Sequence, residues 1–281
     1  MSQSSWSQRY PAATSLHAEG SLEAALAMIA AAGFRAVELW GSGAHLDPRL
    51  DPDVQAIKRD LRRLGLRAQS IHTPYHHLKL GHPELGLKAE WQRVVGAALE
   101  IGADLGARVA VVHVTSDVKS LPDEVYDQSR AVAIEFVESL SRRAKELGIR
   151  LAIENLPRLG HHRFGSSLQE LAEAFPDPEI GFCLDVGHVL VNKLSLQAEV
   201  QAAGSRLLSV HAHNNDGERD CHWPPPEGVG DWRQVRRELA AIGYEGPYVL
   251  EVVCSQEIER GADPHGLLRQ LAAFAEKDAK V

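Results

Sequence analysis

Eight short, largely apolar runs, at residues 12–16, 36–39, 68–71, 109–112, 151–153, 180–184, 207–210 and 248–250, are separated by intervals long enough to hold a helix. Their apolarity is close to continuous where a half-wetted strand would alternate, as parallel strands covered on both faces require. Between the runs, stretches rich in Ala, Leu and charge end on Gly33, Gly65, Gly106, Gly148 or Gly243, each a few residues ahead of the next run. A glycine just past a helix takes the left-handed conformation that ends it. The repeat is therefore βα. Eight units predict an α/β chain folded as one closed (β/α)8 TIM barrel, a single domain over residues 1–281, because barrels of about 250 residues form one domain. No Gly-x-Gly-x-x-Gly follows the first run, which argues against an open dinucleotide-binding sheet.

Helix starts are legible at Ser21, at Asp231, and at Ser167-Leu168-Gln169-Glu170, which has the spacing of a capping box. The longer connections, residues 41–53, 73–89 and 212–230, each follow a strand and belong on the carboxyl-end face, where barrel enzymes keep their chemistry. Arg59, Arg62, Arg63, Arg142, Arg143, Lys145, Arg236 and Arg237 fall on helical stretches away from those loops and read as solvated outer faces.

A hydrophobic fraction of 44% with 24% charged residues suits a globular protein with a large core. The net charge of −8 argues against polyanions and acidic membranes as partners. Cys183, Cys221 and Cys254 are too few and too scattered for a disulfide framework. Residues 1–6 lack a basic region leading into an apolar run, and no segment approaches the ~18 apolar residues of a membrane span. The expectation is a cytoplasmic protein without membrane contact.

What ends each run carries the chemistry. The third is followed by His72, the fourth by His113, the fifth by Glu154, the sixth by Asp185 with His188 one turn on, the seventh by His211 and the eighth by Glu251. An ionisable group beside the barrel axis is partly dehydrated, which is costly unless it is paired or ligated. Singly, His72 or His113 reads as a hydrogen-bonded imidazole and Glu154 as the partner of an arginine. Together they are a donor set for a divalent cation. The segment from His211 to Trp223 adds His211-Ala212-His213 and Asp220-Cys221-His222. Asp220 and His222 have three readings: a second metal site, a substrate contact, or a pair that stabilises the loop. Cys221 should point away from its neighbours if the loop is extended.

Ile153-Glu154-Asn155-Leu156, Leu184-Asp185-Val186-Gly187-His188, the His211 to His222 segment and Glu227-Gly228-Val229-Gly230-Asp231-Trp232 resemble motifs of the xylose-isomerase-like barrel superfamily, over about residues 12–255. That group includes sugar isomerases and epimerases, inosose dehydratases and metal-dependent abasic-site endonucleases. In its sugar branch, the resemblance implies one divalent ion (Mn2+, Zn2+, Co2+ or Mg2+) held by Glu154, Asp185, His211 and Glu251, with Glu154 and Glu251 as the catalytic acid–base pair. A carboxylate alone is a poor base toward a carbon acid, so a Lewis acid has to stabilise the enediolate oxygens. Return of the proton to the opposite face gives epimerisation, and return to the neighbouring carbon gives aldose–ketose isomerisation. His188, Arg219, His72 and Glu38 are the candidate substrate contacts, Arg219 reading equally as an exposed loop charge and Glu38 as a rim salt bridge. Trp40, Trp223 and Trp232 either wall a sugar-sized pocket or belong to the core. His76, His77, His161 and His162 read as surface groups.

The endonuclease branch uses three zinc ions, and its ligand pattern is similar to His72, His113, Glu154, Asp185, His188, His211, Asp220, His222 and Glu251, with Tyr75 where that branch has a tyrosine. Here His72, His113, His188, Asp220 and His222 would make a second site. Several phosphate contacts are needed to grip a duplex, and residues 41–53 offer only Arg49. The reading is thus an isomerase or epimerase of a sugar, sugar phosphate or cyclitol. The alternative is an abasic-site phosphodiesterase, with nucleic acid as its partner, and a third is a non-enzymatic binding barrel. Association into a homo-oligomer is left open.

Overall fold

A computed structural model describes residues 6–75, 78, 80, 85–115, 126–158, 164–253 and 263–280. Eight strands, β1 (Ala12–Ala13), β2 (Ala36–Trp40), β3 (Arg67–His72), β4 (Val109–Val112), β5 (Arg150–Glu154), β6 (Gly181–Asp185), β7 (Leu207–Ala212) and β8 (Tyr248–Leu250), close into one barrel in chain order. Every pairing is parallel, and β1 meets both β2 and β8. The helices are α1 (Trp6–Arg9), α2 (Leu22–Ala31), α3 (Gly43–Leu46), α4 (Val54–Leu64), α5 (Leu85–Asp104), α6 (Tyr126–Leu147), α7 (Leu168–Ala174), α8 (Val186–Val191), α9 (Leu196–Ala203), α10 (Trp232–Ala241) and α11 (Pro264–Asp278). Among the described residues no helix is long and apolar enough to cross a membrane.

The five helix-ending glycines all take positive φ, from 65° at Gly65 to 98° at Gly33. Ser21 caps α2 by accepting from the Ala24 N–H, and Asp231 caps α10 by accepting from the Arg233 N–H. The expected capping box does not close. Ser167 Oγ accepts from the Gln169 N–H, but the Glu170 carboxylate turns to the Gly165 N–H at 2.9 Å. Glu199 of α9, fully buried, serves this helix start instead: Ser167 Oγ donates to it at 2.8 Å, and the Leu168 N–H donates to its other oxygen.

β1 is shorter than its apolar run. After Ala13 the chain enters a 3-10 turn, Thr14–His17, because the buried Thr14 hydroxyl accepts from the Trp40 N–H at 2.9 Å and meets His45 Nδ1 at 3.2 Å. Residues 41–53 likewise contain α3 and a 3-10 turn, Pro48–Leu50. Arg59, Arg63 and Arg143 are solvated as expected, whereas Arg236 is part-buried, with Nη1 donating to Tyr10 Oη at 2.7 Å and pairing with Asp278.

Alternation along the buried strands positions the site. On β4 to β6, Ala110, Val112, Leu151, Ile153, Phe182 and Leu184 face the helices, while Val109, Val111, Ala152 and Cys183 fill the barrel. The next inward position on these strands is His113, Glu154 or Asp185. The polar residues are therefore the top layer of the barrel interior. Cys183 and Cys221 are buried free thiols; Cys254, His76, His77, His161 and His162 lie outside the described residues.

Candidate active site

Glu154 is the centre of the layer. It is 1% exposed; Oε2 lies 3.1 Å from His72 Nε2 and 3.0 Å from His113 Nε2, and Oε1 lies 3.3 Å from His211 Nδ1. His211 Nδ1 is also 2.9 Å from Glu251 Oε2 and 3.8 Å from Asp185 Oδ2. Beyond Asp185, His188 Nε2 and His222 Nε2 approach Asp220 Oδ2 at 3.1 and 3.2 Å.

The side chains fall into three groups, each with ligand atoms within 4.8 Å of one another: His72, Glu154 and His211; Glu154, Asp185, His211 and Glu251; and His188, His213, Asp220 and His222. The five residues expected at a second site thus divide. His72 and His113 stand against Glu154, while His188, Asp220 and His222 gather with His213 on the other side of Asp185. His213 is the member that the sequence reading left out of its ligand set: its Nε2 meets Asp185 Oδ2 at 2.8 Å, and its ring stacks on His222 with centroids 4.0 Å apart.

Backbone carbonyls set the ring orientations. His72 Nδ1 donates to Thr73 O at 3.1 Å, His188 Nδ1 to Asn155 O at 2.7 Å and His222 Nδ1 to Glu251 O at 2.9 Å, so each ring turns Nε2 into the cluster. His211 is reversed: Nδ1 points inward, and Nε2 lies 3.0 Å from Glu38 Oε1. Asn155 joins β5 to β6, its side chain donating to Asp185 O at 3.0 Å and accepting from the Asp185 N–H at 2.7 Å.

The loop after β7 is held by its asparagines. Asn214 pairs with Trp223 in an antiparallel bridge, and its side chain donates to Pro225 O and Gly230 O. Gly228, at φ 106°, passes so near that an added Cβ would come within 2.4 Å of Asn215 O. His222 itself has φ 47°, a strained conformation for a residue with a Cβ.

Burial opposes charge throughout the cluster, yet opposite charges dominate. His188, despite burial, is pushed up to about 10 by Asp185 and Asp220. His211 and His222 are likewise raised by carboxylates, while Glu154 and Glu251 are lowered by imidazoles. Cys183, beneath the cluster, is pushed up to about 12 by burial.

Among the described residues, four buried atoms here lack a directed hydrogen bond, whatever their charge contacts: His211 Nε2, His213 Nδ1, Asp220 Oδ1 and Glu251 Oε2. Unsatisfied carboxylate oxygens beside convergent imidazole nitrogens are the donors that a divalent cation takes, and the residues fit one. Cys221 is in none of the three groups.

The proposed substrate contacts separate. His72 and His188 line the cluster. Glu38 is 1% exposed and lies behind His211, with Ser70 Oγ donating to its other oxygen at 2.6 Å, so it is neither a pocket contact nor a rim salt bridge. Arg219 is 75% exposed and held by Asp216 at 2.8 Å. Tyr75 covers the first group, its ring centroid 4.3 Å from that of His113. Trp232 packs edge-on against Tyr248 and Phe274, and Trp40 against His45.

The model of the xylose isomerase-like TIM barrel family matches residues 26–277. The fructoselysine 3-epimerase of Escherichia coli O157:H7 is 23% identical over 233 residues, which cover 79% of this chain and 82% of that protein. The structure of D-psicose 3-epimerase with D-tagatose from Clostridium cellulolyticum H10 superposes with a TM-score of 0.79 at 18% identity, over 97% of this chain and 98% of that one. That of an AP endonuclease, family 2, from Brucella melitensis gives 0.74 at 18% identity, over 95% and 99%. Both structures have this fold.

Proposed function

The chain belongs to the xylose isomerase-like TIM barrel family, and from that premise we propose that it is a divalent-cation-dependent isomerase or epimerase of a small sugar, sugar phosphate or cyclitol. The observation that carries this reading is the convergence of Glu154, Asp185, His211 and Glu251, with ligand atoms within 4.8 Å of one another at the mouth of the barrel. A cation bound there would supply the positive charge against which substrate oxygens become negative as a proton leaves the adjacent carbon. Glu154 and Glu251 come from strands that are not neighbours, and each keeps a carboxylate at the cluster. One takes the proton from carbon, and either can return it. Both are held ionised by the imidazoles around them, the state a base requires. His72 and His188 would hold substrate oxygens or cations, and the apolar barrel beneath would exclude water.

The test is exchange of solvent hydrogen into a panel of ketoses, aldoses and cyclitols by cation-loaded protein. Glu154→Gln and Glu251→Gln should each abolish exchange while leaving the circular dichroism melt intact; full activity of either variant overturns the two-glutamate mechanism.

A second reading has its own observation. Glu154 directs one oxygen at His72 and His113 and the other at His211, and a separate group surrounds Asp220. A cluster of several cations suits in-line attack on a phosphodiester. Nicking of an abasic-site duplex by zinc-loaded protein would establish that reading, and intact duplex would remove it.

A further inference from the structure

The barrel has a second mouth, at the strand starts, and arginines gather there. β3 begins on Arg67, β5 on Arg150, and Arg35 and Arg108 immediately precede β2 and β4. Their backbones are laddered together: the Arg67 N–H donates to Arg35 O and the Arg150 N–H to Arg108 O, each at 2.9 Å. The Arg35 guanidinium is engaged by Phe34 O at 2.7 Å. Arg67 and Arg108 are not so placed. Together with Arg9 of α1, Gln8, Gln69 and Glu245 they line an open depression of about 500 Å³.

Among the described residues, no carboxylate oxygen lies within the 4.0 Å of an ion pair from the guanidinium of Arg9, Arg67 or Arg108. The side-chain partner of Arg67 is the neutral Gln69. Arg9 Nε is buried without a hydrogen-bond partner. Burial and the charge of Arg108 both lower the Arg67 pKa, as expected of like charges held together without a counter-charge. Glu245 is exposed at the margin and pairs with none of the three. In a chain of net charge −8, a local excess of positive charge around a concavity selects an anion.

We propose that this strand-start mouth is an oxyanion site that takes a phosphate group, gripped by Arg67 and Arg108 with Arg9 beside them. Planar guanidinium forks match the oxygens of a phosphate two at a time, and two or three positive charges match its dianion. The depression is larger than a phosphate ion, so the group is either free or the phosphoryl end of a small phosphomonoester. The site is at the opposite end of the strands from the carboxylate–histidine cluster and stands whether or not the proposed activity does.

The experiment is calorimetric titration of metal-stripped protein, at ionic strength fixed with sodium chloride, using inorganic phosphate, a hexose monophosphate and the free hexose. The two phosphates should bind saturably, and any heat from the free hexose, which belongs to the other mouth, should be indifferent to Arg67→Gln/Arg108→Gln; the tighter of the two phosphates identifies the source. Arg67→Gln/Arg108→Gln should weaken binding at least about tenfold. Arg108→Glu, at an exposed position, should do the same, while Glu154→Gln at the other mouth should leave binding of inorganic phosphate unchanged. No saturable heat with either phosphate overturns the site, as does undiminished binding by Arg108→Glu. Phosphate that merely dissociates a dimer in sedimentation also overturns it, the occupant then being the acidic surface of a second copy.

Discussion

Glu38 Oε1 stands 3.0 Å from His211 Nε2, on the side of the imidazole that faces away from the cluster. The approach is off the line of a directed hydrogen bond, since Nε2 has no such partner; it is a charge contact in a site sealed to 1% exposure. Ser70 Oγ fixes the other carboxylate oxygen at 2.6 Å. The pair keeps the His211 ring turned with Nδ1 toward Glu154 and Glu251. A carboxylate behind a ligating imidazole raises its basicity, and losing one costs about 10–100-fold in metal affinity or activity. Glu38→Gln, which preserves volume and drops the charge, should weaken cation binding about tenfold with little change in melting temperature. Competition against a chromogenic chelator measures it, and unchanged affinity would show that packing alone orients His211.

Much of this arrangement is legible in the sequence, for one reason. In a barrel strand buried on both faces, a histidine or carboxylate at the carboxyl end has few inexpensive places to go, so His72, His113, Glu154, Asp185, His211 and Glu251 announce themselves. Glu38 stands out as a candidate substrate contact or rim salt bridge, but its place behind His211 is not legible, because it sits inside β2 at a register shift between Val37 and Glu38, and pattern alone does not say which face it takes. His213 was visible as the second histidine of a pair, but it lies just past the end of β7, where strand alternation no longer assigns a direction. Arg219 reads equally as a substrate contact or a loop charge in the sequence, because what positions it is tertiary detail: Asp216 accepts from the Glu218 and Arg219 N–H groups and holds the guanidinium. β1 read as a full strand because Leu16 is core, although Thr14 had already turned the chain.

His45 gives the fold a pH dependence of its own. It is 4% exposed, with Nε2 donating to His17 O and Nδ1 facing the Thr14 hydroxyl, each at 3.2 Å. Burial lowers its pKa, partly offset by backbone carbonyls. The unfolded chain therefore binds a proton that the folded one refuses, and stability falls as pH drops through about 6.5, levelling off below the folded value. Urea melts at pH 7.5 and 5.5 should show a smaller acid-induced loss for His45→Gln than for the parent. Equal losses would place the acid sensitivity elsewhere.

Glu199 is the position where loss of one carboxylate should cost most in stability without touching the cluster. It satisfies Ser167 Oγ, the Leu168 N–H and Gln169 Nε2, tying α9 to the start of α7. Glu199→Ala leaves a buried hydroxyl and a buried N–H without acceptors, at a cost of about 3 kcal/mol. In a chain of this size that is roughly 5–10 °C in melting temperature. Glu199→Gln keeps one acceptor oxygen and should lose about half as much. A melt of Glu199→Ala within about 1 °C of the parent would mean that water replaces the carboxylate.

On the proposed reading, in which cations occupy the cluster, Asp220 sets how many are held and which chemistry they serve. Its Oδ2 lies between His188 Nε2 and His222 Nε2, at 3.1 and 3.2 Å, and its buried Oδ1 has no partner. None of these side chains belongs to the group formed by Glu154, Asp185, His211 and Glu251. Asp220→Asn keeps the shape and removes the charge, so after reconstitution and gel filtration it should retain one cation equivalent fewer than the parent by elemental analysis. If proton transfer depends on the Glu154–Glu251 group alone, the variant keeps solvent exchange into the sugar substrate, with a changed KM where Asp220 touches it. If the protein is instead a phosphodiesterase, the loss of that equivalent abolishes nicking. An unchanged metal content would show that His188, His213 and His222 are held together by hydrogen bonds to a carboxylate and not by an ion.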